Sequence, residues 1–165
     1  MNETITNFQT KVVEITPTLD TSAYISGDVL FIANLVSLVG ALPAGQSIRA
    51  EVVDITIVDK SANAGLFDLV FFKSAPTTLG AVNAAVNLSS ADVALVRRAI
   101  PVTSYTAMKA ATNGLAQPEF QSFTIEVPAD ALGFFVAGIS RDTKTYAASD
   151  LQITIGTRLH NVRLS

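Results

Sequence analysis

Tyr24-Ile25-Ser26-Gly27-Asp28-Val29 decides the fold of this chain. Glycine gives the backbone freedom for a turn, aspartate accepts local backbone hydrogen bonds there, and an apolar β-branched run begins at once. Asp54-Ile55-Thr56-Ile57, Asp68-Leu69-Val70-Phe71-Phe72 and Asp150-Leu151-Gln152-Ile153 repeat the arrangement, with an Asp at or near the start of a strand-like run. A chain assembled from such turn-to-strand units reads as all-β.

Outward from that segment, more strands follow. Lys11 to Ile15 is β-rich and stops at Thr16-Pro17, because a residue before Pro leaves the helical region and Pro breaks a ladder. Asp28 to Leu35 is the next strand, and Pro43-Ala44-Gly45-Gln46 is a turn. Ile48 to Asp59 is a long strand with a phase change. Ile48, Ala50 and Val52 alternate with Arg49 and Glu51, whereas Val53, Ile55 and Ile57 alternate with Asp54 and Thr56. A one-residue shift marks a β-bulge, or else a strand covered on both faces at its middle. Leu66 to Lys73 is apolar on both faces, with Phe67, Leu69 and Phe71 on one and Val70 and Phe72 on the other. The second face then meets another subunit or a loop.

Ser89 to Ala99 reads as a helix. Ser89 caps it, Asp92 lies in its first turn, Val93, Val96 and Ile100 form a stripe, Arg97 and Arg98 sit near its end, and Pro101 closes it. The remaining strands are Val102 to Met108, Phe120 to Val127, Gly133 to Ser140 and Leu151 to Gly156. About eight strands separated by turns, without a helix at each crossover, predict an antiparallel two-sheet sandwich of jelly-roll type with one short helix. Residues 1–10 read as a polar N-terminal arm and 11–165 as a single sandwich domain.

Composition bounds the function. The 165 residues contain no Cys and one His, which removes disulfides, Cys-based zinc sites and Cys nucleophiles. Charged residues make up 15% against 49% hydrophobic, short of the ~25% usual for a free domain. That shortfall suggests a surface partly covered by a partner. The formal net charge of -3 gives no support to nucleic-acid binding. The most apolar stretch, Val29 to Leu42, is interrupted by Asn34, Ser37 and Gly40 and is too short to span a membrane. Met1-Asn2-Glu3-Thr4 does not read as a secretory signal.

Residues that could carry chemistry have plainer readings. His160, between Leu159 and Asn161, reads as a surface or interface histidine. Asp28, Asp54, Asp59 and Asp68 could supply oxygens to calcium, but no D-x-D-x-D-G loop is present and Asp at a turn ordinarily bonds backbone. Arg97-Arg98 is a basic patch or a solvated helix end. Thr103-Ser104-Tyr105-Thr106 is rich in hydroxyls, as a sugar site would be, yet the chain has no Trp. Glu3, Glu14, Glu51, Glu119 and Glu126 are scattered over different elements, which disfavours the paired carboxylates of a glycoside hydrolase. The segment from Thr157 to Ser165, with Arg158 and Arg163, either reaches onto an acidic partner or is an ordinary last strand. No catalytic residue, metal ligand or cofactor is expected.

The order of the motifs carries a resemblance. Tyr24-x-Ser26-Gly27-Asp28-Val29 is followed by a strand ending near Asp54, then Asp68-Leu69-x-Phe71-Phe72 with Pro76, then Ser90-Ala91-Asp92. Tyr146 with Ser149-Asp150-Leu151 and an Ile-rich last strand complete the order. From about Thr18 to Gly156 this resembles a family of tailed-bacteriophage virion structural proteins, common among phages of aquatic bacteria. The resemblance implies a jelly-roll decoration (cement) protein on the capsid exterior, with no enzymatic activity and no cofactor. Its expected partners are the major capsid protein and further copies of itself, a trimer being suggested by the three-fold sites of icosahedral shells; no nucleic acid and no membrane is expected. The expected interface residues are Asn2, Asn7, Phe8 and Gln9 in the arm, Phe67, Leu69, Phe71 and Phe72 in the central strand, and Arg158 and Arg163 in the tail. The alternative is a receptor- or glycan-binding module of a tail or surface fibre.

Overall fold

Strands account for most of the computed structural model, which describes residues 9–39, 47–61, 65–109 and 113–161. In chain order they are β1 (Gln9–Ile15), β2 (Val29–Ser37), β3 (Ile48–Asp59), β4 (Phe67–Phe72), β5 (Val96–Val102), β6 (Thr106–Lys109), β7 (Asn113–Ala116), β8 (Phe123–Val127), β9 (Gly133–Ser140) and β10 (Leu151–Asn161). A single helical turn, α1 (Ser90–Val93), lies between β4 and β5. No helix among the described residues is long and apolar enough to cross a membrane.

Every strand pairing is antiparallel. One sheet runs β2-β9-β4-β5. The other runs β1-β10-β3, and the far edge of β3 is shared: β8 pairs with its first half, and β7, followed by β6, with its second. With the β6–β7 hairpin set aside, the remaining strands pair as β1/β10, β2/β9, β3/β8 and β4/β5. The chain is thus one long hairpin rolled into two facing sheets, the jelly-roll arrangement expected from the sequence. The strand total exceeds the expected eight because that hairpin widens the larger sheet at one end.

The core lies between the sheets. Phe67, Leu69 and Phe71 of β4 meet Ile48, Ala50, Val52, Ile55 and Ile57 of β3, all of them buried. Phe71 stands edge-on to Phe123 with ring centroids 5.1 Å apart, a favourable aromatic geometry. Phe31 lies over Gly138 on the neighbouring strand, where a Cβ would stand 2.6 Å from Phe31 Cδ1. The ring occupies the space that any other residue would fill.

The phase change in β3 is a bulge. Gly156 pairs with Asp54 and Thr157 with Val52, which leaves Val53 as the extra residue. Val53 and Asp54 are consecutively exposed, after which alternation resumes with Ile55 inward. The inward and outward sets before and after Val53 are therefore both satisfied.

Three expectations need correction. Val102 to Met108 is not one strand, since Val102 ends β5 and β6 begins at Thr106. The helix is one turn, not Ser89 to Ala99, because Val96 to Val102 pairs with β4 as an edge strand. Pro101 is tolerated there since an edge position needs no outward N–H. Gln9 and Thr10, assigned to the arm, are part of β1; the rest of the arm lies outside the described residues.

Candidate functional site

The Asp residues singled out in the sequence hold loops. Gly27 has φ of 97°, a left-handed conformation natural to glycine, and Asp28 Oδ2 accepts the Ile25 amide at 2.9 Å. Asp59, fully buried at the end of β3, accepts the Ser61 amide at 2.8 Å and the Gly65 amide at 3.1 Å, and also the Ser61 hydroxyl. Asp68 pairs with Arg141, whose Nε donates at 2.7 Å. That bond raises the Arg141 pKa further. Asp54 stays exposed beside the bulge. Among the described residues no three acidic or His side chains converge closely enough to hold a metal ion.

These contacts bind together the loops at one end of the sandwich. Residues 16–28 join 141–150 through Tyr24 N to Lys144 O at 2.8 Å and Leu19 N to Ala148 O at 3.0 Å. Lys60 and Leu66 join it through Lys60 N to Asp150 O at 2.8 Å and Leu66 N to Asp142 Oδ2 at 2.9 Å. Tyr24 and Tyr146 stack edge to face within this end, 5.9 Å between centroids. Burial pushes up the hydroxyl pKa values of Tyr24, Tyr105 and Tyr146, so all three are protonated at neutral pH.

A second Asp device covers the smaller sheet. The segment between β4 and β5 runs over the outer face of that sheet and buries Val70, Phe72, Val29 and Ala137 beneath Leu79. Asp92 fixes it in place, accepting the Thr77 and Thr78 amides at 2.8 and 2.9 Å together with both threonine hydroxyls and that of Ser89. These bonds, the Thr78 hydroxyl first, hold the Asp92 carboxyl well below the usual carboxylate range. The sequence showed Asp92 as a first-turn acid; its partners fifteen residues earlier were not legible from that position.

The expected interface residues separate into three groups. Phe67, Leu69, Phe71 and Phe72 are fully buried by their own chain, three in the core and Phe72 under the covering segment. That corrects their assignment to a subunit interface: the second face of β4 meets a loop. Gln9 and Arg158 are exposed on the larger sheet. Asn2, Asn7, Phe8 and Arg163 lie outside the described residues.

The outer face of the larger sheet is polar and uncovered by any described segment. Arg158 Nη1 lies 3.4 Å and His160 Nε2 3.1 Å from Glu51 Oε2, and Arg49 lies 3.6 Å from Glu126. The Ser122 hydroxyl, then His160, lower the Glu51 pKa. Arg49, Glu126 and Arg158 are largely exposed and Glu51 and His160 only partly buried, so each pair adds at most about 1 kcal/mol. The hydroxyl-rich segment lines an open groove of about 310 Å³ with Pro101, Thr103, Ser104, Gln117, Pro118 and Glu119. No aromatic side chain lines it, which is poor chemistry for stacking a sugar.

No protein-family model matches this chain, and no curated protein sequence matches it. Among solved structures, a chain of the infectious bursal disease virus Gx strain structure aligns over 94% of this chain and 32% of its own length, at 13% identity and a TM-score of 0.33. This chain therefore spans about a third of that one. A chain of the maize chlorotic mottle virus structure, obtained by single-particle analysis, aligns over 94% and 95% respectively, at 11% identity and a TM-score of 0.30. Similarity this weak carries no argument; the jelly roll rests on the strand pairing.

Proposed function

We propose that this chain is a non-enzymatic virion structural protein of a tailed bacteriophage, a decoration protein on the outside of the capsid shell. Its partners are the major capsid protein and further copies of itself. The observation that carries this reading is the use made of its loop carboxylates. Asp20, Asp28, Asp59, Asp92, Asp142 and Asp150 each accept a backbone amide of a loop. Such groups stiffen a scaffold. Rigid loops on a jelly roll suit a protein whose task is mechanical, clamping neighbouring shell subunits through spread-out apolar and hydrogen-bonding contact. The sequence resemblance points the same way.

The test is to image purified particles with and without this protein. Density for it on the outer shell, lost in its absence, is the expected result. Particles that carry none on the shell sink the proposal, and density on a tail or fibre moves the protein to the other location.

A further inference from the structure

Among the described residues, β1, β2, β5, β6 and β8 each leave one edge without a strand partner. An unpaired edge is a template for another strand, and proteins guard it with bulges, short length, charge or Pro. Four of these edges are guarded. β2 slips register against β9 between Val29 and Phe31 and again between Phe31 and Asn34. β5 has Arg97 as an extra residue against β4, followed by exposed Arg98 and Pro101. β6 is four residues long and irregular against β7. β8 is only five residues long and runs into Pro128.

β1 is unlike them. Its seven residues contain no Pro or Gly and pair with β10 without a shift, from Gln9 opposite Leu159 to Ile15 opposite Ile153. Lys11 does not guard the edge, since its ammonium turns away to donate to Val39 O at 3.4 Å. Val12, at 67%, is the most exposed large hydrophobic residue among those described.

We propose that β1 joins two copies of this chain, edge to edge and antiparallel about a two-fold axis at Val12, so that the larger sheet continues from one copy into the other. The strand's own pattern names the occupant. A two-fold perpendicular to the sheet pairs residues of the same face. Val12 then meets Val12 of the second copy, Thr10 meets Glu14, and Lys11 meets Val13. The exposed valine is covered by its counterpart and no like charges are opposed. Moving the axis to Lys11 would set Val12 against Thr10, and moving it to Val13 would set Val12 against the Glu14 carboxylate, so neither covers the valine with its counterpart. The pairing deepens the self-association in the decoration reading and replaces the three-fold expectation with a two-fold contact. It does not depend on where in a particle the protein sits, so particle imaging and the following experiment fail independently.

The experiment is analytical ultracentrifugation of the full chain over a wide concentration range. The wild type is expected to dimerise by mass action, with the outward-facing β1 amides gaining hydrogen-exchange protection as it does. Val12→Lys and Val12→Glu each weaken self-association by roughly 100-fold through like charges at the axis, and their equimolar mixture restores the dimer. At concentrations where the wild type is monomeric, the urea midpoints of both variants match its value because position 12 is exposed. A wild type that is monomeric throughout, a trimer, a dimer that survives Val12→Lys, or a mixture that stays monomeric overturns the proposal.

Discussion

Deleting Val53 is expected to leave β3 with every remaining side chain on its present face, whereas deleting Thr56 is not. Val53 is the residue without a partner between the Val52–Thr157 and Asp54–Gly156 pairs. Without it, Val52 inward, Asp54 outward and Ile55 inward follow in ordinary alternation. The loss is the local bend and twist of the bulge, about 1 kcal/mol. Thr56 lies beyond the bulge, where Ile57, Val58 and Asp59 are held by both β10 and β7. Alternation back from Ile57 then turns Ile55, now 1% exposed, outward and drives Asp54 into the core. Exposing the isoleucine costs about 1.5–3 kcal/mol. An unpaired carboxylate in the core costs several kcal/mol more. The total, roughly 5 kcal/mol or above, is comparable with the whole stability of a small domain. Urea unfolding with matched m values measures both deletions. Equal losses, or a greater loss for Val53, would refute the bulge argument.

Gly138→Ala crowds the Phe31 ring and lowers the urea midpoint by an equivalent of about 1–3 kcal/mol, with Phe31→Leu in the same chain recovering part of it. Phe71→Ala costs about 3–5 kcal/mol of stability through the cavity it leaves, and sedimentation of the folded variant is unchanged because the ring faces the core. Asp92 carries a pH signature. Its native pKa is depressed, so its stabilisation is present above the unfolded carboxylate value near pH 4 and is lost as pH falls through the lower native value. The wild-type urea midpoint therefore falls more steeply below about pH 4 than that of Asp92→Asn, and parallel profiles would remove the Asp92 network from the acid sensitivity.

Much of the fold was legible because side-chain period is a local property. The phase change in β3 at Val53 was legible, though not whether a bulge or a strand covered on both faces caused it, and β9 was bounded correctly by Gly133 and Ser140. The helix was misread for the same reason. Val93, Val96 and Ile100 have helical spacing, but whether Val96 onward forms helix or strand is decided by the open edge of β4, which lies far away in sequence. The role of the Asp residues was legible at Asp28, where the bonded amide is three residues away. It was not legible at Asp142, whose amide partner Leu66 is 76 residues distant. A strand apolar on both faces needs two covers, and its sequence leaves open whether the second is another subunit or a loop; the 73–95 segment decides for the loop, and Phe67 and Phe71 face the core.

That covering segment alters the meaning of the low charge content. A two-layer sandwich of this length with 15% charged residues would leave apolar surface for a partner to cover. This chain adds a partial third layer, and Val29, Val70, Phe72, Leu79, Ala137 and Ile139 form a second buried cluster beneath it. Part of the excess hydrophobicity is thereby satisfied within one subunit. A partner approaching the smaller sheet would have to displace a segment fixed by Asp92, whereas the larger sheet offers a bare polar face and the unguarded edge of β1. The polar pairs on that face are individually weak, so they can register a partner more readily than hold one. Lasting contact then depends on apolar burial, and among the described residues of the larger sheet the most exposed apolar side chain is Val12, on the strand whose edge is open.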